Sequence, residues 1–130
     1  MINGLKTSAL ILARKNSIGL PGKNYQKLCG VPLFLWSVRA ALQCPYIDSV
    51  VVCSCCSEVE NNFQIFKNNS KSKDHNKLIY INRPEILNGP EVKNEAIMRF
   101  CDVQSHSDIW ITLQPTFIYD DNNTMYKKMK

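Results

Sequence analysis

Short apolar runs alternate with longer segments of helical composition along this chain of 130 residues. Short apolar runs that end at polar, glycine or proline residues are typical of strands buried on both faces. The sequence predicts such strands at residues 8–12, 49–53, 78–81 and 108–113. Because the strands alternate with helices, we predict an α/β fold, with a mostly parallel sheet and helices on both faces.

Helices are predicted in the connections between these strands. The first covers residues 33–43 after Pro32, whose missing N–H is harmless in the first turn of a helix. The second begins at a capping box, in which Ser57 is followed three residues later by Glu60. The third follows the Gly-Pro pair at residues 89–90 and carries apolar residues at helical spacing.

Two polar stretches complete the prediction. Residues 67–77 are rich in asparagine, serine and lysine, which predicts a loop, and residues 120–130 predict the start of a further helix. No repeat or linker divides the chain, so residues 1–130 are predicted to form a single domain.

Charge and hydropathy exclude several classes of protein. The net charge of +5 comes from 16 basic and 11 acidic residues, and the basic residues form no block interleaved with aromatic residues. This pattern suits a small anionic ligand better than nucleic acid. No segment approaches the roughly 20 apolar residues of a membrane span, and the first apolar run is too short for a signal peptide. We therefore expect a cytoplasmic protein without a membrane partner.

The segment at residues 13–24 follows the first strand and has the chemistry of a phosphate-binding loop. Its glycines let main-chain N–H groups approach an anion closely. Arg14 can hold phosphate oxygens with two parallel hydrogen bonds, and Lys23 adds a point charge, whereas Lys15 is predicted to be solvated. The residues predicted to contact a ligand here are Ala13, Arg14, Ser17, Gly19, Lys23 and Asn24. A plain surface turn with solvated cations remains the alternative.

This loop differs from two common nucleotide-binding motifs. In G-x-x-x-x-G-K-[S/T] the lysine is followed by a hydroxyl residue, but here Asn24 follows it, and Ser17 stands where the first glycine would be. The pattern G-x-G-x-x-G is absent as well, so a dinucleotide cofactor is not expected.

Two more polar residues follow strands of the predicted sheet. Arg83 comes after the third strand and Gln114 after the fourth. Ligands of parallel sheets bind beyond the carboxyl ends of the strands, so both residues are candidates for a ligand site. The amide of Gln114 suits a base edge or a sugar hydroxyl. The alternatives are a surface ion pair for Arg83 and a loop position without function for Gln114.

Six cysteines leave a thiol-based function open. Cys53 and Cys56 have the C-x-x-C spacing of redox proteins and lie between a strand and a helix. Zinc would require a second pair of ligands, and the sequence predicts no metal site. Buried, inert thiols are the default interpretation.

These motifs together resemble the N-acylneuraminate cytidylyltransferases, or CMP-sialic acid synthetases, through about residue 116. The matching stretches are residues 13–24, Leu28 to Ser37, Asp48 to Val52, Arg83-Pro84 and residues 113–116. At residues 19–24 the chain reads Gly-Leu-Pro-Gly-Lys-Asn, whereas CMP-Kdo synthetases usually read Arg-Leu-Pro-Gly-Lys-Pro. The resemblance is therefore closer to the sialic acid branch.

The resemblance implies a Rossmann-like nucleotide-diphospho-sugar transferase fold, here truncated, and a nucleotidyltransferase reaction. CMP would pass from CTP to the anomeric hydroxyl of an acidic nine-carbon sugar, with release of pyrophosphate. Arg14 and Lys23 would act in catalysis by holding the triphosphate and offsetting its charge. Mg²⁺ is implied as cofactor, although the family's aspartate ligands are absent from this chain. Homodimerisation or a separately encoded carboxy-terminal half is implied as partner.

The chain also departs from the family pattern. Ile18 replaces a second lysine of the loop, and Cys55 stands at an acidic position. The match implies an amino-terminal half only, so a truncated, non-catalytic nucleotide-binding or split-subunit remnant is the alternative function. A parallel sheet that stops after four strands would leave apolar surface uncovered, so we expect aggregation or dependence on a partner.

Overall fold

The computed structural model describes residues 1–13, 27–89 and 91–113. Its strands are β1 (Thr7–Leu12), β2 (Lys27–Leu28), β3 (Val31–Pro32), β4 (Ser49–Ser54), β5 (Leu78–Asn82) and β6 (Ile109–Leu113). Its helices are α1 (Leu33–Leu42), α2 (Ser57–Asn68), α3 (Ser72–Lys77) and α4 (Asn94–Gln104), with one 3₁₀ turn at Glu85–Leu87. None of the helices in these ranges is long and apolar enough to cross a membrane.

The main sheet has the strand order β5-β4-β1-β6 among the described residues, and all its neighbouring strands are parallel. Leu12 pairs with Cys53, and Ser54 pairs with Asn82. On the other side of β1, Ile11 pairs with Leu113. The four strands therefore end at nearly the same level, and their carboxyl ends form one edge of the sheet.

Helices cover both faces of this sheet, as predicted. Successive side chains of a strand point to opposite faces, so Ile11 packs towards α1 and α2, whereas Leu10 packs towards α4. Phe63 of α2 is fully buried in the first layer, and Ile97 of α4 is fully buried in the second. Burial on both faces explains why the strands read as continuous apolar runs.

The polar stretch at residues 67–77 was predicted as a loop, and this prediction is wrong. It holds the end of α2 and the whole of α3, in which no side chain is buried. Local hydrogen bonds form the helix: the main-chain N–H of His75 donates to the carbonyl oxygen of Lys71 at 2.8 Å. The His75 ring nitrogen Nδ1 lies 3.0 Å from the carbonyl oxygen of Lys67. A helix without an apolar face leaves no periodic signal in the sequence.

The predicted starts of two helices also need correction. Cys56, rather than Ser57, is the N-cap of α2, and it makes no side-chain capping bond. Instead the Ser54 hydroxyl accepts a hydrogen bond from the Cys56 main-chain N–H at 3.1 Å. Helix α4 begins only at Asn94, because the chain first makes a turn in which the Val92 N–H donates to the Gly89 carbonyl.

A two-residue hairpin joins β2 and β3 immediately before α1. Cys29 and Gly30 form its turn, with φ angles of 53° and 80°. Positive φ at both central residues defines a type I′ turn, which matches the natural twist of antiparallel strands. The turn predicted at Gly30 is confirmed, and the left-handed conformation of Cys29 was not predicted.

Carboxylates hold the amino end of β1. The main-chain N–H of Thr7 donates to Asp48 Oδ2 at 2.8 Å, and that of Lys6 donates to Asp108 Oδ2 at 2.9 Å. The hydrogen bond from Thr7 lowers the pKa of Asp48. Asp48 belongs to one of the family-like motifs, and its observed role is to set where β1 begins against β4.

A second polar cluster ties the end of α4 to the start of β6. Asp102 accepts hydrogen bonds from Trp110 Nε1 at 2.9 Å and from the Ser107 N–H at 3.0 Å. These bonds, with a smaller contribution from His106, lower the pKa of Asp102 to about 2. The His106 ring lies between two carboxylates, with Nδ1 at 3.1 Å from Asp102 and Nε2 at 3.5 Å from Asp108. Its pKa is raised, mainly by the hydrogen bond to Asp102.

We predict that His106→Gln removes a pH-dependent part of the stability. A histidine whose folded pKa is raised stabilises the fold fully below the unfolded pKa, about 6.5, and this contribution is lost as pH rises through the folded pKa. The melting temperature of the wild type should exceed that of the variant near pH 5, and the gap should close above pH 8. Thermal melts of both proteins from pH 5 to 9 test this, and a gap that stays constant over the range contradicts it.

Strand β6 forms one edge of the sheet within the described ranges, where its pairing partner is β1. All five of its residues are only partly buried. The expected aggregation or partner dependence of the chain is compatible with this edge and stays a prediction.

Candidate functional site

The carboxyl edge of the sheet is the place where this fold positions a ligand. Strand β1 lies between β4 and β6, and the chain runs from β1 to β4 on one side and returns to β6 on the other. Ligands of such sheets bind at this change of direction. Ala13 directly follows β1, and Leu113 is the last residue of the neighbouring strand β6. Each of them is the first residue of a predicted binding segment.

Of the predicted contact residues, Ala13 and Arg83 belong to the described part of the chain. Arg14, Ser17, Gly19, Lys23, Asn24 and Gln114 lie outside the described residues, as does the helix predicted at residues 120–130. Ala13 is described, and its side chain is fully buried in the layer beneath α1. A nucleotide contact at Ala13 would therefore come from its main chain.

Arg83 is the predicted site residue that the structure defines best. It directly follows β5, and its main-chain N–H donates to the carbonyl oxygen of Ser54 at 2.9 Å. Its side chain is only 1% exposed, and Nη2 donates to the carbonyl oxygen of Cys53 at 2.7 Å. The alternative of a surface ion pair is therefore wrong.

Two nitrogen atoms of the Arg83 guanidinium, Nε and Nη1, are buried and have no hydrogen-bond partner within residues 1–13, 27–89 and 91–113. Leaving buried donors of a charged group unpaired is costly, and native proteins rarely do so without a reason. A buried arginine of this kind at the ligand-binding edge is suited to receive an anionic or carbonyl oxygen from a bound molecule.

Two buried thiols lie next to this guanidinium. Cys53 of β4 and Cys101 of α4 are both fully buried and belong to the same apolar layer. A hydrogen bond from Cys101, and more weakly the charge of Arg83, lower the pKa of the Cys53 thiol to about 7 against the opposing effect of burial. The same hydrogen bond, together with burial, raises the pKa of Cys101.

The C-x-x-C spacing does not bring its two thiols together. Cys53 packs on the α4 face of the sheet, whereas Cys56 packs on the α1 and α2 face. Cys56 Sγ donates to Glu58 Oε2 at 3.2 Å, and burial raises its pKa. All six cysteines are free. The described part of the chain also contains no group of three histidine, cysteine or acidic residues that could hold a metal ion.

Tyr80 braces the carboxyl end of β4. Its hydroxyl donates to the carbonyl oxygen of Ser54 at 2.8 Å, and its ring lies 5.6 Å from that of Phe63, measured between centroids. Burial raises the pKa of Tyr80 to about 12, so the phenol stays protonated and remains a donor. Both hydrogen bonds to Ser54 therefore fix the backbone beside Arg83.

No pattern in the sequence indicates that Cys53 and Cys101 lie next to Arg83. Cys101 occupies an apolar position of a helix, where cysteine commonly serves as a small hydrophobic residue. Its proximity to Cys53 depends on how α4 packs on the sheet, which periodicity does not specify.

Fold and edge together define an α/β protein of the Rossmann-like class. The family model described as cytidylyltransferase matches residues 8–116, so the chain belongs to the cytidylyltransferase family. The resemblance stated above is confirmed at this level.

Known relatives agree with this assignment. N-acylneuraminate cytidylyltransferase B of Danio rerio is 34% identical over 109 residues, and N-acylneuraminate cytidylyltransferase of Oncorhynchus mykiss is 30% identical over 109 residues. Each match covers 84% of this chain and 23% of the relative. The chain thus spans about a quarter of the length of these curated relatives.

A solved structure confirms the fold. The structure of CMP:2-keto-3-deoxy-manno-octonic acid synthetase complexed with CTP superposes with a TM-score of 0.67 and 26% sequence identity. The match covers 85% of this chain and 40% of that protein.

Proposed function

We propose that this chain supplies the nucleotide site of an enzyme that transfers CMP from CTP to an acidic nine-carbon sugar of the N-acylneuraminate type, releasing pyrophosphate. The observation that carries the proposal is Arg83, a buried arginine with two unpartnered N–H groups among the described residues, at the carboxyl edge of a cytidylyltransferase fold. The names of the curated relatives favour an N-acylneuraminate as the sugar. A cytoplasmic location would suit this activity.

The roles of the individual residues follow from the chemistry of the proposed reaction. Displacement at a nucleoside triphosphate depends mainly on positioning and on offsetting negative charge. Arg14 and Lys23 would hold the triphosphate, with Ser17, Gly19 and Asn24 ordering the loop around it. Arg83 and Gln114 would place the nucleotide or the sugar from the neighbouring strands.

Mg²⁺ enters the proposal only through the resemblance. The described residues offer no cluster of metal ligands, so no step is assigned to a metal held by them. Magnesium is commonly bound through substrate phosphates with one or two carboxylates, which is the form in which it would enter here.

The test is pyrophosphate release from CTP, N-acetylneuraminate and Mg²⁺. Lys23→Ala should lower the rate at least about 100-fold, as is typical when a group that stabilises developing charge is removed. Lys15→Ala is the matched control in the same loop and should stay close to the wild type, because Lys15 is predicted to be solvated. Equal losses in both variants would show that the loop acts only through its net charge.

A second candidate is a non-catalytic nucleotide-binding subunit. It is favoured by Ile18, which stands where the family resemblance implies a second lysine of the phosphate-binding loop. CTP binding measured by calorimetry separates the two candidates. Binding without turnover supports the non-catalytic candidate, turnover supports the enzyme, and the absence of both contradicts the whole proposal.

A further inference from the structure

A groove with a volume of about 420 Å³ lies between one face of α1 and one face of α2, and the β2–β3 hairpin also lines it. Leu35 and Arg39 are four residues apart in α1, so they share a face of that helix. Asn62 and Phe66 share a face of α2 for the same reason. A cavity of this size lies within the range of about 300–1,000 Å³ that is typical of small-molecule sites.

The groove is separate from the carboxyl edge of the sheet. Within residues 1–13, 27–89 and 91–113, its lining includes neither Ala13 nor Arg83. A molecule bound here would therefore contact other residues than those that the sequence predicts for a nucleotide.

The apolar part of the lining comes from three different elements. Leu35 of α1 is buried, whereas Phe66 of α2 and Val31 of β3 are partly buried and pack against the same core. Ile65, next to Phe66, also lines the groove and is 60% exposed. The groove thus presents continuous apolar surface that a bound molecule could remove from water.

The charged part of the lining is positive. Lys27 and Arg39 both line the groove, and no acidic residue of the described ranges does so. Neither cation forms an ion pair with a described residue. Cζ of Arg39 lies 4.9 Å from the centroid of the Trp36 ring, a cation–π distance. Stacking on an aromatic ring restricts the guanidinium and leaves its N–H groups available to an anion.

We propose that this groove binds a small organic anion, in which a phosphate or carboxylate group is joined to an apolar body. The anionic group would bind Lys27 and Arg39, and the apolar body would lie on Leu35, Ile65 and Phe66. The inference goes beyond the proposed function and does not depend on it, because the two sites share no described residue.

Ordinary surface roles predict a different outcome. Arg39 lies in the last turn of α1, where a cation interacts favourably with the negative end of the helix. A single exposed apolar side chain such as Ile65 is common on protein surfaces. These roles alone predict no ligand whose binding depends on both residues.

The first measurement locates the site, with 1-naphthyl phosphate as the probe and the full chain labelled with nitrogen-15. The chain has two tryptophans, so the indole N–H signal of Trp36 is assigned by its loss in Trp36→Phe. Titration should shift this signal, because Trp36 contacts Arg39, and should leave that of Trp110, which packs on the α4 side of the sheet. A shift of Trp110 alone, or of neither signal, overturns the inference. The Trp36 shift should persist in excess CTP, and its loss there would contradict a separate site.

The second measurement compares dissociation constants for the same probe. Arg39→Gln should weaken binding about tenfold, the effect of losing a hydrogen bond from a charged donor. Lys73→Gln is the matched control, since it removes an exposed cation of α3 that does not line the groove, and it should stay within about twofold of the wild type. Ile65→Ala should weaken binding about threefold through lost apolar contact.

Two further probes separate charge from apolar contact. 1-Naphthol keeps the apolar body without the anion, and inorganic phosphate keeps the anion without the apolar body, so each should bind at least about tenfold more weakly than 1-naphthyl phosphate. 1-Naphthoate should bind within about tenfold of the phosphate ester. Equal binding of 1-naphthol and the ester, equal binding of inorganic phosphate and the ester, or equal losses in Arg39→Gln and Lys73→Gln overturns the inference. Circular dichroism of the variants verifies that each keeps the fold.

Discussion

Arg83→Lys is expected to weaken CTP binding by about two orders of magnitude while leaving the fold intact. Lysine keeps the positive charge but loses the planar fork, so it cannot reproduce the Nε and Nη1 donors that lie buried at the carboxyl edge. Each hydrogen bond from a charged donor contributes about 1.5–3 kcal/mol, and the loss of two corresponds to at least roughly 100-fold in affinity. Calorimetric titration with CTP, together with circular dichroism of both proteins, measures the two effects separately.

Arg83→Met is the matched control for stability. Methionine fills much of the same volume without burying a charge, and replacing a buried ionic group with an apolar one is often neutral or stabilising. We expect the free energy of unfolding of this variant to equal or exceed that of the wild type, although CTP binding is lost. If Arg83→Lys binds CTP as the wild type does, or if Arg83→Met is strongly destabilised, Arg83 is a structural residue rather than a ligand-binding one.

The expected behaviour of Arg83 illustrates what a single sequence can and cannot predict about a site. Its place after the third predicted strand was enough to nominate it, because the carboxyl ends of parallel strands converge at one edge. Its burial was not predictable, since arginine is almost never buried unless it is paired. Burial of this side chain depends on long-range packing, which the local sequence pattern does not specify.

The strands were the most predictable part of the fold. The four long runs were located to within about one residue because strands buried on both faces leave an uninterrupted apolar signal. The short hairpin of β2 and β3 and the polar helix α3 were not predicted as such. Neither buries an apolar stripe of its own, so hydrogen bonding and turn geometry determine them instead of hydrophobic periodicity.

The predicted start of α2 was wrong for a related reason. The pair Ser57 and Glu60 matches the capping-box pattern, but the chain enters α2 one residue earlier because Ser54 already satisfies the Cys56 N–H. Ser54 is the last residue of β4, so the end of that strand determines where the helix begins. The same strand end carries the carbonyl oxygens that anchor Tyr80 and Arg83, so the site and the helix start are set together.

Phe63→Ala should be among the most destabilising single substitutions in the described part of the chain. Phe63 is fully buried between α2 and the sheet and packs against the ring of Tyr80, at 5.6 Å between centroids. Truncating a buried phenylalanine costs about 3–5 kcal/mol, a large share of the roughly 5–15 kcal/mol that stabilises a domain.

Ile65→Ala on the same helix is the control: Ile65 is 60% exposed, so we expect a change within about 1 kcal/mol. Urea unfolding followed by circular dichroism measures both variants, and a Phe63→Ala loss no larger than that of Ile65→Ala would mean that α2 does not pack on the sheet as described. Because Tyr80 also braces the backbone beside Arg83, Phe63→Ala should weaken CTP binding before it unfolds the protein, whereas Ile65→Ala should not.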